Sequence, residues 1–575
     1  MRVACRPSVA DGQRQQRGRC VMFVGDMDDL FSRTHHVCVV GAGPVGIVVA
    51  LELASRGHEV TILESGSFEF DPAAQKLSEA LRVDEVRNQD MALVVQRRFG
   101  GTSNLWGAGC VPLDPVDFDA RAIAENVRWP ISYAEFASFL PDACRYANCG
   151  TQFEQPLTDI APCDDRFTMG GLMRYADPPS FLKAYAQTVS RSARIRAYLG
   201  ATVTAIRCGA DGRVSAHRVH GRDGHSGPVR ARAVVLACGG VETTRLLLAM
   251  QAEEPQRFGG EAGALGRYYM GHLSGALADI RFQNDRLDRS FGFFRLADAA
   301  YARRRIAASG AFQHREQLTN IALWPTLPPM GDFEHRDPVL SLAYLALSFP
   351  PLGRRLVSES LRRINVGDGK HRFAHVRNVA AGLPLLGAFL PRFLFHRFVA
   401  QRRLPGLHIH NPARRYPLHY HAEHLPNPHS RIRLSNDRDV LGLRKVVLDL
   451  RFSDRDAEAV VRTHEQLARW LHETGLGALI WHNPAENLKE QVLAQAGDGV
   501  HQIGTARMGE NNRSAVVDRN CRIFGSSNLF LAGSTVFPTS GQANPTLSAI
   551  ALAVRLARLL SAEAYTHEIR HEVAV

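Results

Sequence analysis

Gly41-Ala-Gly43-Pro-Val-Gly46 is entered by the apolar run His36-Val-Cys-Val-Val40 and followed by Ile47 to Ser55, small and apolar at helical spacing up to Gly57. The order reads as strand, glycine turn and helix. Glycines at 41 and 43 permit the tight turn and bring backbone N–H groups to a pyrophosphate at the positive helix N-terminus, while Gly46 lets helix and strand pack closely. A second strand, Glu59-Val-Thr-Ile-Leu63, delivers Glu64, 18 residues past Gly46, where a carboxylate accepts hydrogen bonds from a ribose. A glycine triplet alone is weak; with strand, helix and acidic residue in register it predicts dinucleotide binding. No second fingerprint of this kind follows a strand, so one tightly held FAD fits better than a flavoprotein that also binds NAD(P).

The C-terminal region supplies chemistry. His501-Gln-Ile-Gly-Thr-Ala-Arg-Met-Gly509 and Gln542-Ala-Asn544-Pro545-Thr546-Leu-Ser548 flank the apolar run Asn528-Leu-Phe-Leu-Ala532, read as a strand ending in the turn Gly533-Ser534. Histidine takes and returns a proton near neutral pH, and asparagine offers donor and acceptor without charge. His501 and Asn544, 43 positions apart, are therefore a candidate pair for holding an alcohol by its hydroxyl. For Asn544 the plain structural alternative is an Asx turn or helix cap ahead of Pro545.

Two further segments complete a pattern: Phe99-Gly-Gly-Thr-Ser-Asn-Leu-Trp-Gly107, and the strand Ala233-Val-Val-Leu-Ala237 running into Gly239-Gly240-Val-Glu242-Thr-Thr-Arg245. With the fingerprint and the His501 and Asn544 blocks, the chain from His36 to about Leu560 resembles the glucose-methanol-choline (GMC) oxidoreductases. It is nearest the pyranose oxidase and cholesterol oxidase branches, which pair His with Asn. The resemblance implies hydride transfer from a CH–OH group to flavin N5, with His501 as general base and Asn544 fixing the oxygen. It also implies cofactor contacts from Gly41, Gly43, Gly46, Glu64, Gly101, Thr102, Ser103, Trp106, Val203, Gly239, Gly533, Ser534, Asn544, Pro545 and Thr546, although Thr102 and Ser103 read equally well as turn residues. Two departures matter. Where fungal pyranose oxidases attach flavin covalently through a histidine, this chain has Leu105, so noncovalent FAD is expected. Many flavoproteins place an Asp at the end of the last strand; Ala532-Gly533-Ser534 stands there instead, leaving the contacts to backbone amides.

The fold class expected is α/β, α+β overall: a Rossmann-like FAD-binding domain interleaved with an antiparallel-sheet substrate domain covered by helices. Flavin-binding pieces are placed within 35–280 (chiefly 35–120 and 190–280) and 498–562, and a substrate domain over 281–497. Strands Ser430–Ser435 and Leu443–Leu450, with an amphipathic helix from Asp454 to Thr474 covering them, are assigned to the latter. The 575 residues, 45% hydrophobic, suffice for two such domains. Residues 1–34 read as a disordered leader or an over-extended start, with Met22 or Met27 as candidate true starts, since six Arg stand against four Asp in the first 33 and no apolar stretch forms a signal peptide. Ten cysteines without a Cys-x-x-Cys pair suggest a reducing, cytoplasmic setting. The 24 histidines make any one of them ordinary; His408, His410, His419, His421 and His424 alternate as on a strand and are read as surface or satisfied core residues, and no metal is expected.

One stretch lies outside the family plan. Pro351 to Arg403 carries eleven Lys/Arg against Glu359 and Asp368, a net +9 of the chain's +12, interspersed with Phe389, Phe393, Phe395 and Phe398. The alternatives are a helical insertion over 338–403 packed on the substrate domain or in a dimer interface, and a peripheral membrane contact. Nucleic acid is disfavoured because no recognition motif accompanies the charge. Expected partners are a small-molecule alcohol (a sugar, glycoside or polyol first, a sterol or other apolar alcohol second) and oxygen or quinone as electron acceptor. The alternative from another class is a flavin-binding redox or interaction protein without alcohol chemistry.

Overall fold

The computed structural model describes residues 23–562 apart from 25, 126, 158, 160–163, 299, 358, 368–370 and 498–499. Most of the leader expected over 1–34 lies outside the described residues. Order nevertheless begins earlier than expected: helix Met27–Ser32 is capped by the Asp26 carboxylate and buries Met27 and Leu30.

The first sheet is built on strand Thr34–Val40. Val60–Glu64 pairs with it in parallel on one side, and Ile195–Leu199 continues outward. On the other side lies Ser226–Leu236, whose second half runs parallel to Thr34–Val40 and to Leu529–Leu531, while its first half turns back antiparallel on Val214–His220. Val37, Cys38, Val39, Ile62, Val234 and Leu531 are buried, as strands covered on both faces require. Helix Pro44–Ser55 packs against the long C-terminal helix Pro545–Ser561, bringing the two ends of the chain together.

A second sheet is wholly antiparallel, in the order Gly477–Trp481, His272–Phe282, Arg415–Glu423, Ile321–Pro325, Tyr301–Ala308, Phe167–Tyr175, Gly109–Cys110. Helices Asp454–Glu473 and Leu488–Gln495 cover its back, with Leu467, Trp470 and Leu471 in the core. The domain boundaries therefore differ from 35–280 and 281–497. Strands 109–110 and 167–175 belong to this sheet, and 272–282 straddles the expected border; the Gly170-Gly171 pair inside the second of these obscures its strand pattern. Arg431–Arg438 and Arg444–Asp449 do pair antiparallel, but with Ala80–Arg82 they form a separate three-stranded sheet under helix Gly240–Glu253. The Asp454 helix covers the large sheet instead.

The expected insertion is helical: Pro338–Ser348, Pro350–Leu356, Glu359–Val366, Arg372–Ala381 and Leu383–Leu394. Asp337 caps the first, whose Tyr344 stacks on His375 with ring centroids 4.0 Å apart. Helix Glu359–Val366 touches helix Met91–Val94 on the edge of the cleft described next.

Candidate active site

A cleft with about 1520 Å³ of empty space opens where the first sheet meets three helix N-termini. Helices Pro44–Ser55, Gly240–Glu253 and Pro545–Ser561 begin at Gly43, Gly239 and Asn544, and none of these has a side-chain cap. First-turn N–H groups thus face the cleft, and each helix end carries roughly half a positive charge. Gln502 takes one of these donors, its side-chain oxygen accepting from Val241 N–H at 2.9 Å.

The glycines at 41, 46 and 43 act differently. Gly41 has φ +103°, and a Cβ there would lie 2.6 Å from the Ala237 carbonyl oxygen. A Cβ at Gly46 would lie 2.0 Å from the Gly41 oxygen, so Gly46 serves turn packing and does not line the cleft. A Cβ at Gly43 or Gly533 meets nothing within 4 Å, and both residues line the cleft, so any side chain there would fill the cradle. Glu64 is buried, with oxygens accepting from Ala42 N–H at 2.9 Å and Gly66 N–H at 2.8 Å. Burial pushes its pKa up, opposed by those amides and by Arg97. Each carboxylate oxygen keeps acceptor capacity for a ribose hydroxyl. Uncapped helix ends, bare glycines and a wall carboxylate together fit a pyrophosphate-bearing dinucleotide such as FAD.

The cleft brings together Gly41, Gly43, Glu64, Gly101, Thr102, Ser103, Trp106, Val203, Gly239, His501, Gly533, Ser534, Pro545 and Thr546. Ser103 is also a turn residue, its hydroxyl donating to Gly100 and accepting from Phe181 N–H. Asn544 stands at the N-cap position of the last helix, and its Nδ2 donates to the Gly109 carbonyl at 3.0 Å. That bond orients the amide and leaves one N–H and the carbonyl oxygen free of it, although Asn544 itself is not among the residues that line the cleft. Leu105 is absent from the lining residues.

His501 is tied to two histidines of the second sheet. Its Nδ1 lies 2.8 Å from Nδ1 of His272, whose ring stacks on His421 at 4.1 Å between centroids. His421 is buried and satisfied, with Nδ1 2.7 Å from the Gln542 carbonyl oxygen, and its ring also stacks on His272 beside His501. Burial, with the neighbouring His421, holds the His501 pKa down to about 3, and burial holds His421 at about 4. All are neutral at pH 7. The three rings offer nitrogens within 4.8 Å of one another. Stacked rings, however, aim their in-plane lone pairs in parallel directions, and His421 Nδ1 already donates to a carbonyl, so the cluster is a hydrogen-bond array and a poor metal cage.

The Nδ1–Nδ1 contact admits one donor, and His272 Nε2 is buried without a hydrogen-bond partner. In the tautomer in which His501 donates through Nδ1–H to His272 Nδ1, His501 Nε2 holds a free lone pair. That is the form a general base requires. Nothing in the sequence signalled His272, since only strand register brings it to His501.

Residues 426–553 match the family model described as GMC oxidoreductase, and residues 34–71 match an FAD binding domain. A C-glycoside 3-oxidase of Microbacterium trichothecenolyticum is 33% identical over 129 residues, 22% of this chain and 23% of that protein. The fructose dehydrogenase large subunit of Gluconobacter japonicus is 24% identical over 62% of this chain and 52% of its own length. The chain spans about a quarter of the length of the first curated relatives it matches. Among solved structures, pyridoxine 4-oxidase from Mesorbium loti is 16% identical with a TM-score of 0.49, covering 92% of this chain and 99% of that one.

Proposed function

From the premise that residues 426–553 form the GMC oxidoreductase domain of this chain, we propose that it is an FAD-dependent oxidoreductase of CH–OH groups on a sugar, glycoside or polyol. The observation that carries this reading is His501 lining the cleft with its Nδ1 held 2.8 Å from His272 Nδ1. Flavin, when bound noncovalently in the cleft, supplies the two-electron acceptor for the substrate hydride. His501 Nε2 takes the hydroxyl proton as the C–H bond breaks, and Asn544 holds the same oxygen. Burial keeps His501 unprotonated, which leaves its lone pair available and at the same time lowers its basicity. General-base assistance of this kind is worth about 10²- to 10⁴-fold, and holding the reacting C–H in place adds an effective molarity of roughly 10⁵ M or more. The sugar-like substrate is supported by the glycoside- and fructose-oxidising names of the relatives.

The test is anaerobic mixing of the yellow protein with neutral and charged sugars, glycosides and sterols. Bleaching by sugars, abolished in His501→Ala with flavin retained, is expected; wild-type reduction rates in His501→Ala would remove His501 from the base role. Acid precipitation should release the flavin to the supernatant. Bleaching by sterols alone would favour the apolar-alcohol reading.

A second reading concerns the acceptor and location. The insertion exposes Phe349, Phe373, Leu383, Phe395, Phe398 and Val399 beside its arginines. We infer a cytoplasmic enzyme that touches anionic lipid peripherally through 338–403 and passes electrons to quinone or oxygen. No single helix among the described residues is long and apolar enough to cross a membrane; Arg372–Ala381 and Leu383–Val399 are bent by 89° at their junction.

A further inference from the structure

Strand Tyr301–Ala308 carries Arg303-Arg304-Arg305. Its register sets Arg303 opposite Met173 and Arg305 opposite Gly171. Alternation then sends Arg304 to the back of the sheet, where Gln155 satisfies it, and Arg303 and Arg305 to the front, the face that carries Trp324, His419 and His421. Gly171 lies against Arg305: a Cβ there would make ordinary contact with its guanidinium at 3.7 Å.

Arg305, buried, and Arg303, half-buried, differ from several other buried arginines of the molecule. Arg121 pairs with Glu423, Arg174 with Asp298, Arg245 with Asp439 and Arg555 with Glu135. Among the described residues, no carboxylate lies within ion-pair distance of Arg303 or Arg305. Arg305 is held by the side-chain oxygen of Gln542, and Arg303 by the Pro325 carbonyl. The Nε of each is buried without a partner, as are those of Arg121 and Arg304, so it is the missing carboxylate contact that sets Arg303 and Arg305 apart from Arg121. The Asp114 carboxylate acts on Arg305 only at longer range, accepting from the Nε2 of the same Gln542; a desolvated cation without a counter-ion in contact is costly to a fold and marks a place where a ligand completes the pairing.

The position relative to the base is fixed by a chain of contacts. Arg305 bonds the Gln542 side chain, the Gln542 carbonyl bonds His421, His421 stacks on His272, and His272 bonds His501. Met173, Tyr175, Trp324, His419 and Arg303 are half-buried, so the face remains accessible. Charge adds a chemical reason. Placing the hydroxyl proton on His501 creates another cation near two unpaired guanidinium groups, whose field already disfavours charge on His421 and His419. A substrate anion offsets that field.

We propose that the alcohol oxidised here carries its own anionic group, a carboxylate or phosphate as in a sugar acid or sugar phosphate, and that Arg303 and Arg305 bind this group while the hydroxyl lies at His501 and Asn544. This deepens the reading of the site as an alcohol oxidoreductase and rests on it. Arginine's planar fork suits either anion bidentately.

The experiment uses the flavin-loaded full chain and two readouts. Equilibrium binding to the oxidised protein is followed by the flavin absorbance shift with gluconate, glucuronate, glucose 6-phosphate, glucose and methyl glucoside. Anaerobic flavin reduction is measured with the same compounds. An anionic member is expected to be preferred over its neutral counterpart by about 100-fold or more in kcat/KM. In Arg303→Gln and Arg305→Gln that ratio collapses, mainly through KM, and Arg305→Lys recovers part of it at unchanged flavin content. Uronate and phosphate arms separate the two anions. Bleaching by neutral sugars at equal or better efficiency, with a ratio indifferent to both substitutions, would overturn the anion site and leave the alcohol oxidoreductase reading intact. If no alcohol bleaches the flavin, the oxidoreductase reading falls, and the binding readout still decides the anion site: saturable shifts lost in Arg305→Gln support it, and no shift with any anion overturns it.

Discussion

At the scale of the residue, the chemistry turns on which nitrogen of His501 carries a proton. The contact between two Nδ1 atoms at 2.8 Å admits only one donor, and the base role requires His501 to be that donor. His272 is thus a positioning residue. Replacing it by leucine, similar in size but without an acceptor, frees the His501 ring to rotate or change tautomer. The expected loss in the flavin reduction rate is about 10²-fold with KM little changed. His272→Asn, whose side-chain oxygen can occupy the place of Nδ1, should recover much of it. A purely structural role would make the two substitutions equivalent, so equal rates in His272→Leu and His272→Asn would remove the tautomer argument. Asn544→Ala, which loses the amide oriented by Gly109, should slow reduction less than His501→Ala does.

At the scale of the element, three helix N-termini define the cofactor end of the cleft, and their geometry depends on the absence of side chains. In Gly46→Ala the new methyl meets the Gly41 carbonyl oxygen, so strand and helix must separate and the pyrophosphate cradle opens. The expected outcome is a folded protein purified largely free of flavin; full occupancy measured by absorbance would contradict the packing role. The basic insertion yields a second element-scale prediction. Each Lys or Arg near an anionic bilayer contributes roughly 1 kcal/mol, fading with salt, and the exposed phenylalanines add a salt-independent part. Sedimentation with phosphatidylserine vesicles should be strong at low salt and weaker at high salt. It should be much reduced in Phe373→Glu/Phe398→Glu, and no binding by the wild type would leave the insertion as a packed or dimer-forming excursion. What the sequence disclosed at this scale follows a physical rule. The Gly41–Gly46 turn, the Glu64 strand end and the Leu529–Leu531 strand were legible because local spacing alone specifies them. The strand Phe167–Tyr175 was obscured by Gly170-Gly171, and His272, His421 and Arg305 were illegible as site residues because register between distant strands, not spacing along the chain, places them beside His501 and Gln542.

At the scale of the whole molecule, the site is a seam between two sheets whose strands alternate along the chain, and sealing that seam buries titratable groups without charge partners. Burial holds His217, His419 and His501 at about 3, and His421 and His464 at about 4. In the unfolded chain each regains the ordinary value near 6.5. The folded value is depressed, so between about pH 3 and pH 6.5 the unfolded chain binds more protons, and stability rises with pH across that window. Their contribution is intact above pH 6.5 and erodes as pH falls, at up to about 1.4 kcal/mol per pH unit for each histidine. Asp117 works in the opposite sense. Burial, together with Asp114 and Glu423, pushes its carboxyl up to about 8, so it favours the fold more as pH falls from 8 towards 4. Glu64 and Asp288, whose carboxyls burial also raises, act in the same direction, and together these groups offset only part of the contribution of the five histidines. The flavin-loaded protein should therefore unfold at a clearly lower urea midpoint at pH 5.5 than at pH 7.5. His464→Gln, which removes a buried histidine whose Nδ1 meets only the Val460 carbonyl, should flatten the dependence by one proton's share. A midpoint independent of pH across that interval would show that these rings are solvated or charged in the folded protein, and with them the neutral form of His501 on which its role as base depends.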